Sequence, residues 1–309
     1  METQQLLIRT GISVACIVVF TWVWKLFNLV WITPKSLEKK LREQGLSGTP
    51  YRLLHGDIEE SAMMSHEALS KPMVLFSNDH ISRIMPYEKH IIKKHGNCSF
   101  MWQGPVATVF ICEPELMREV LNKIDAFHKP KANPLSGFLT PGFIQYEGEK
   151  WSKHRKLVTP ALYSEKLKVT MILNEVLRLY PPAPSLRRSV VHDVTLGNLT
   201  IPAGVQVSLP FMVVHLDTKI WGEDALEFNP ERFSDGISNA MQGNNCFFPF
   251  SGGPRICIGQ NFAMNEAKLA VTMILQRFSF KLSPSYAHGP VLAPLLEPQY
   301  GIPIILRRL

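Results

Sequence analysis

The stretch FPFSGGPRICIGQNFA, residues 248–263, decides how this chain is interpreted. It places one cysteine, Cys257, between a segment rich in glycine and proline and a run typical of a helix. Glycines permit unusual dihedral angles and close approach to a flat partner. Successive backbone amides and the positive end of the following helix would stabilise the Cys257 thiolate. Arg255 offers a fork of donors that suits a carboxylate.

A thiolate held in this way is either a nucleophile or a metal ligand. A nucleophile needs a nearby base, and the loop contains no His or Asp. A thiolate that binds iron needs no base, and a haem propionate would account for Arg255. On this stretch alone a third alternative stays open, a buried structural thiol, because free cysteines are commonly buried.

Composition indicates a folded chain with a basic surface. The 309 residues suffice for one large domain or two ordinary ones, with 46% apolar and 19% charged residues and a net charge of +7. The basic clusters are residues 35–42, 89–94 and 150–156. They favour an acidic protein partner or anionic lipid, or are simply a solvated face. No nucleic-acid-binding motif accompanies them, so we expect no nucleic acid partner. The five cysteines form no CxxC pair, which indicates a reducing compartment.

The N-terminus predicts a membrane anchor over residues 1–33. Residues 10–24 carry no charge, and the apolar character resumes after Lys25 and continues to Ile32. This length approaches or reaches the roughly 30 Å of a bilayer core. No small-residue cleavage site follows, so the segment is expected to be retained. Basic residues dominate the downstream flank, which predicts a body, residues 34–309, that faces the cytoplasm. A buried core helix is the alternative.

The remaining pattern predicts an α+β fold that is mainly helical with small β-sheets. Residues 99–112 are typical of two strands broken at Gly104 and Pro105, and residues 205–209 alternate as a half-buried strand does. Pro34 is predicted to end the anchor helix. The other helices are predicted over residues 36–44, 115–122, 151–158, 167–179 and 261–277.

Three motifs in the second half together resemble those of the cytochrome P450 family, the haem-thiolate monooxygenases. They are the loop around Cys257 with Phe250, Arg255 and Gly259, the ExxR helix with Glu175 and Arg178, and the PERF segment with Arg232. An ExxR spacing alone is a weak signal, because surface helices often carry such pairs. The resemblance implies the P450 fold and haem b with Cys257 as axial iron ligand. It also implies that Glu175, Arg178 and Arg232 form a buried ion-paired triad.

The resemblance extends to the propionate contacts and to a subgroup. Trp151 and Arg155, in a WxxxR pattern, and Arg188 resemble residues that grip the propionates in this family. The segments before residue 58 and after residue 297 resemble the plant microsomal subgroup that contains secologanin synthase-like enzymes. This implies an endoplasmic-reticulum protein that receives electrons from NADPH-cytochrome P450 reductase and hydroxylates a lipophilic plant metabolite, such as a terpenoid or hormone.

The family pattern breaks between Arg155 and Glu175. Full-length members have helices D to J there, and this chain joins the flanking stretches near residues 167–168. The I-helix acid–Thr pair is absent from the sequence, so we identify no catalytic residue. We therefore expect an incomplete fold, exposed apolar faces on the helices around residues 167–179 and 261–277, and weak or absent monooxygenation. The alternative function is that of a catalytically impaired splice variant or fragment that binds haem or reductase without turnover. The substrate-contacting segments that remain are residues 134–143 and 295–300.

Overall fold

The body of the protein is built around one mixed β-sheet with helices on its faces. The computed structural model describes residues 2–73, 79–130, 146, 148–158, 169–241 and 244–309. The helices are α1 (Glu2–Phe27), α2 (Thr33–Glu43), α3 (Ile58–Ser70), α4 (Ile81–Ile84), α5 (Pro86–His95), α6 (Pro114–Asn122), α7 (Gly148–Val158), α8 (Val169–Leu179), α9 (Phe211–His215), α10 (Thr218–Trp221), α11 (Ile237–Ala240) and α12 (Gln260–Leu275). Short 3₁₀ turns cover Glu223–Leu226, Pro230–Phe233 and Gly253–Arg255.

Twelve strands are found in the described part of the chain. They are β1 (Ser47–Gly48), β2 (Cys98–Gln103), β3 (Val106–Ile111), β4 (Phe127–His128), β5 (Leu186–Val190), β6 (Val194–Leu196), β7 (Leu199–Ile201), β8 (Gln206–Leu209), β9 (Phe278–Leu282), β10 (Pro290–Leu292), β11 (Leu296–Pro298) and β12 (Ile304–Arg308). The main sheet has the order β1-β2-β3-β8-β5-β4. Its β1–β2 and β3–β8 pairs are parallel and its other pairs antiparallel. Three two-stranded ribbons complete the fold: β6–β7, β9–β12 and β10–β11.

The hydrophobic core lies on the main sheet. The β2–β3 hairpin is buried along most of its length, with Phe100, Trp102 and Val109 fully enclosed. Its turn at Gly104 has φ +59°, a conformation that glycine adopts without strain. Helix α6 packs on this core through Met117, Val120 and Leu121. The predicted strand pair and the mixed, mainly helical class are thus confirmed.

The predicted helix end at Pro34 is wrong. The chain stays helical from α1 through a single π turn, Asn28–Ile32, into α2, and Pro34 lies in the first turn of α2. In a regular helix the Val30 carbonyl would accept from the N–H of residue 34, which proline lacks. The hydroxyl of Tyr51 donates to the Val30 carbonyl instead. The helix therefore passes its proline without an unsatisfied carbonyl at this point.

The segment from Ser13 to Glu43 is long and apolar enough to cross a membrane. Its apolar side chains between Val14 and Phe27 are exposed, including Phe20 and Trp22 at 68% and 70%. This exposure excludes the alternative of a core helix within the described structure. The helix therefore fits a membrane anchor. The Trp31 ring packs 6.2 Å from that of Tyr51, which ties the base of the helix to the body.

Candidate functional site

Cys257 stands on an exposed loop directly before α12. A 3₁₀ turn at Gly253–Arg255 leads into it, and its N–H donates to the Phe250 carbonyl at 2.9 Å, which closes the loop. Gly259 occupies the N-terminal cap position of α12, so the positive end of this sixteen-residue helix lies two residues beyond the sulfur. Sequence and structure agree on this arrangement.

The other cysteines of the body are poor thiolate ligands. Burial raises the pKa of Cys112 to about 12 and that of Cys246 to about 11. Burial and the nearby Glu113 carboxylate raise the pKa of Cys98 to about 11. These three side chains remain neutral thiols at physiological pH. Cys257 is the exposed cysteine of the body, and Cys16 lies on α1.

Gly253 serves a contact that the sequence did not indicate. Its φ is +67°, and a Cβ there would lie 2.6 Å from the Leu121 carbonyl oxygen of α6. The packing of the loop on α6 is therefore enough to require glycine here. At Gly259 a Cβ would meet the Cys257 sulfur at an ordinary 3.9 Å.

Arg255 and Trp151 lie together beside the loop. The Arg255 guanidinium donates to the carbonyls of Phe127 and Ile124 at 3.3 and 3.4 Å. Its central carbon lies 5.7 Å from the ring centre of Trp151 on α7, a cation–π distance. These contacts hold the guanidinium close to the main sheet, because Phe127 belongs to β4.

Arg188 reaches the same region from β5. Phe127 pairs with Val190 across β4–β5, and Arg188 precedes Val190 by two residues on the same face of the strand. Its side chain is buried, and Nη1 donates to the Arg187 carbonyl at 3.0 Å. The site thus combines an exposed soft sulfur with guanidinium groups. This donor set fits haem, with iron at the sulfur and propionates at the arginines. The side chain of Arg155 lies outside the described residues.

A buried ion-pair network lies on α8 and is connected to the cysteine loop. Glu175 and Arg178, one turn apart on α8, are completely buried, and two hydrogen bonds of 2.8 Å join the carboxylate to the guanidinium. The remaining donors of Arg178 bind backbone carbonyls of His215, Ala225 and Glu227 at 2.8, 2.7 and 3.3 Å. All five N–H groups of the arginine are therefore used.

Arg232 joins this network mainly through a residue that the sequence did not single out. Its Nη2 donates to Asp224 at 2.7 Å, whereas its Nε lies 3.8 Å from Glu175, an ion-pair distance longer than a hydrogen bond. The hydrogen bond from Arg232 lowers the pKa of Asp224. The structure thus brings together the three expected residues and adds Asp224 to them.

His215 connects the network to the cysteine loop. Its carbonyl accepts from Arg178, and its Nε2 accepts from the backbone N–H of Phe248 at 2.9 Å, where the loop begins. Burial, followed by the charge of Arg178, lowers the pKa of His215 to about 3, so the imidazole is neutral. The sequence offered no signal for this role. His215 follows an apolar run and lies more than thirty residues along the chain from both the ExxR helix and the cysteine loop.

Apolar side chains are exposed on α8 and α12, as the sequence predicts. On α12, Phe262 and Leu269 are 57% and 62% exposed, and the helix has no fully buried residue. On α8, Ile172 and Val176 are 43% and 38% exposed. These helices pack against each other but leave an apolar surface without a covering element in the described structure.

Comparison with known proteins identifies the family. The family model for cytochrome P450 matches residues 74–172 and 169–302. The chain belongs to the cytochrome P450 family. Its relatives include echinocystic acid 23-monooxygenase of Saponaria officinalis, 31% identical over 96% of this chain and 98% of that protein. They also include cytochrome P450 72A397 of Kalopanax septemlobus (31% identical, 93% and 96% covered) and 11-oxo-beta-amyrin 30-oxidase of Glycyrrhiza uralensis (29% identical, 93% and 96% covered).

The predicted membership of the plant cytochrome P450 family is confirmed, and so is the predicted enzyme class, a monooxygenase.

The alignments with these relatives are longer than this chain. The one with the Saponaria protein runs over 512 positions, whereas this chain has 309 residues, so about 200 positions face a gap. The two matches to the P450 model meet at residues 169–172. The predicted junction at 167–168 and the substrate segment 134–143 lie outside the described residues.

Proposed function

We propose that this chain is a haem-thiolate monooxygenase of the cytochrome P450 family, with Cys257 as the axial ligand of haem b. One observation supports the ligand assignment most directly: Cys257 is the exposed thiol of the body, and it lies at the positive end of α12 beside Arg255. When bound, a haem with a thiolate ligand supplies the chemistry that activates dioxygen for insertion into a C–H bond.

The protein residues hold and orient the cofactor. Arg255 and Arg188 would hold the propionates, Trp151 packs on Arg255, and Arg155 would add a further cation by the WxxxR resemblance. The Phe250 carbonyl accepts from the Cys257 N–H, which closes the loop that carries the sulfur. Glu175, Arg178 and Arg232 act indirectly. Arg232 binds Asp224, and Arg178 binds the carbonyl of His215, whose Nε2 accepts from the Phe248 N–H at the start of the cysteine loop.

The proposed partners follow from the anchor, the charge and the relatives. The Ser13–Glu43 helix supports a proposed location in the endoplasmic-reticulum membrane, as a single-pass protein with its body in the cytoplasm. The net charge of +7 suits docking of an acidic NADPH-cytochrome P450 reductase, which supplies the electrons. Two relatives are named for echinocystic acid and 11-oxo-beta-amyrin. We propose a lipophilic plant metabolite of this terpenoid kind, or a hormone, as substrate.

A second candidate function is a chain that binds haem or reductase without turnover. The shortfall of about 200 alignment positions and the exposed faces of α8 and α12 favour it. Both agree with an internal deletion of helices D to J near residues 167–168. Without a covering helix the protein cannot exclude water from the far side of the cofactor or guide protons to it. A transcript read across this junction distinguishes a real product from a gene-model error.

The two candidates differ in one experiment. The full chain is purified in detergent, loaded with haem and examined by the reduced carbon-monoxide difference spectrum, then supplied with reductase, NADPH and triterpenoid substrates. A thiolate-type band with turnover supports the monooxygenase, and the same band without turnover supports the second candidate. Cys257→Ser should abolish the band, whereas Cys246→Ser, at a buried thiol, should keep it. A band that survives Cys257→Ser refutes the ligand assignment.

A further inference from the structure

An apolar groove of about 520 Å³ lies between the N-terminal helix and the turn that follows Tyr51. The helix contributes one side of the groove, and the turn contributes the other. All seven residues that line it in the described structure are apolar: Val23, Leu26, Phe27, Val30, Trp31, Leu53 and Leu54. None of them belongs to the haem site that we propose. An apolar concave surface of this kind favours an apolar occupant over water.

The turn holds its two leucines in a defined but uncommon conformation. Leu54 has φ +64°, in the left-handed region that residues other than glycine rarely adopt. Its N–H donates to the Tyr51 hydroxyl at 3.2 Å, and the same hydroxyl donates to the Val30 carbonyl of the helix. Leu53 and Leu54 nevertheless remain 51% and 54% exposed. Packing inside the body therefore does not account for two leucines at this place.

The position of the groove along the helix sets its depth in a bilayer. From Val23 to Trp31 the helix rises by about 12 Å, and the groove begins where the uncharged residues 10–24 end. Trp31 suits the membrane interface, and the Lys35 ammonium lies 5.7 Å from its ring centre. Lys25 is at the same level but does not line the groove, and its long side chain can extend to the headgroups. In a bilayer that this helix spans, the groove therefore lies in the leaflet nearest to the body.

The polar side chains that flank the two leucines are already matched with each other. Arg52 lies 3.1 Å from Glu60, and His55 lies 3.5 Å from Glu59. Both Arg52 and His55 are largely accessible, so they can remain in the headgroup layer while the leucines point to the groove. The groove thus offers apolar contact without an unpaired charge in its lining. This chemistry suits an acyl chain and does not depend on the charge of the headgroup.

We propose that this groove holds an acyl chain of a phospholipid, so that Leu53 and Leu54 form a second membrane contact beside the anchor. The inference rests on the proposed membrane location of the Ser13–Glu43 helix. That helix supplies five of the seven lining residues, so a bilayer around it brings lipid directly to the groove. Transfer of the half-exposed leucines from water to hydrocarbon is favourable. The body is thereby held against the membrane at a point outside the anchor itself.

The test is photocrosslinking of the full chain in nanodiscs of phosphatidylcholine, with adducts identified by mass spectrometry. The photoreactive residue p-benzoylphenylalanine replaces Leu53, or Phe20 on α1 as the membrane reference, or Thr200 as the control. Thr200 is exposed, and its N–H donates to the side chain of Gln44, so it lies at the end of α2, about 20 Å along the helix from Trp31. We expect lipid adducts at Leu53 at about the level of Phe20 and at least about tenfold above Thr200, because only the first two positions lie at bilayer depth.

The outcomes separate this inference from the membrane location on which it rests. Lipid adducts at Phe20, with adducts at Leu53 no stronger than at Thr200, overturn the groove proposal and leave the anchor in the membrane. An absence of lipid adducts at both Phe20 and Leu53 overturns the membrane location and the groove proposal together. Adducts of Leu53 with a second copy of the chain, in place of lipid, also overturn the proposed occupant.

A second pair of variants distinguishes binding in the groove from general contact with the bilayer. Val23→Trp places a large side chain in the groove and should lower the lipid adducts at Leu53 about threefold, because the added volume displaces the acyl chain. Val19→Trp is the matched control: it lies one helical turn earlier, is 61% exposed against 59% for Val23, and does not line the groove. Adducts at Leu53 that are unaffected by Val23→Trp, or lowered equally by Val19→Trp, contradict the assignment to this groove.

Discussion

Replacement of Arg178 by lysine tests how the buried network stabilises the fold. The arginine uses all five of its N–H groups, two on Glu175 and three on backbone carbonyls. Lysine keeps the charge but has three donors at most and cannot reproduce the planar fork. At least two of the five acceptors therefore lose their partner in a site without water access.

The expected magnitude follows from these contacts. An unsatisfied buried acceptor costs about 1–3 kcal/mol, so two of them, with the lost bidentate contact to Glu175, cost about 3–5 kcal/mol. This agrees with about 3–5 kcal/mol for breaking a buried ion pair. With a urea dependence of about 3 kcal/mol per molar, the unfolding midpoint should fall by about 1–1.7 M.

The assay is urea unfolding of the full chain in detergent, followed by far-ultraviolet circular dichroism. Lys39→Gln is the control, because Lys39 and Glu43 form an exposed pair at 3.8 Å with 79% and 60% of their side chains accessible. Such a pair is worth less than about 1 kcal/mol. If Arg178→Lys shifts the midpoint no further than Lys39→Gln does, the network does not stabilise the fold as we infer.

Four further substitutions probe other parts of the structure. Gly253→Ala should lower the melting temperature more than Gly204→Ala, because both have positive φ but only the first would bring a Cβ to 2.6 Å from a carbonyl of α6; equal shifts would contradict the close contact. Tyr51→Phe should cost about 1–3 kcal/mol and speed hydrogen exchange in the π turn, and unchanged exchange would refute the capping role. Because the pKa of His215 falls from 6.5 to about 3, its neutral form stabilises the fold above pH 6.5. That stability is lost as pH falls toward 3, by up to about 1.4 kcal/mol per pH unit, so His215→Gln should flatten the dependence in urea titrations at several pH values; an unchanged slope would count against this. Leu269→Glu should leave the melting temperature nearly unchanged and reduce aggregation measured by light scattering, whereas a large destabilisation would show that this side of α12 is covered.

Local signals predicted the elements whose contacts are local. Gly104 and Pro105 separate two apolar runs, and the structure has the β2–β3 hairpin there. The spacing of Glu175 and Arg178 placed both on one face of a helix, and they are paired on α8. These predictions succeed because a turn or a helical face is determined by residues within a few positions of each other.

Contacts between distant segments were beyond prediction from local patterns. The parallel pairing of β3 with β8 joins Thr108 to Gln206, and no local pattern specifies that neighbour. His215 and Asp224 entered the network only after folding brought them to α8. The error at Pro34 has the same origin, because the hydroxyl that satisfies the helix belongs to Tyr51, on a separate segment of the chain.

The unbroken passage from α1 into α2 fixes the rotation of the body about the axis of its N-terminal helix. A flexible hinge at Pro34 would let the body turn freely, but the helix and the Tyr51 contact transmit every rotation of the anchor. Each residue of a helix advances by about 100°, so a single residue inserted before the π turn would swing the body by more than a quarter of a circle. The residue count of the helix therefore determines which side of the body lies along a given face of that helix.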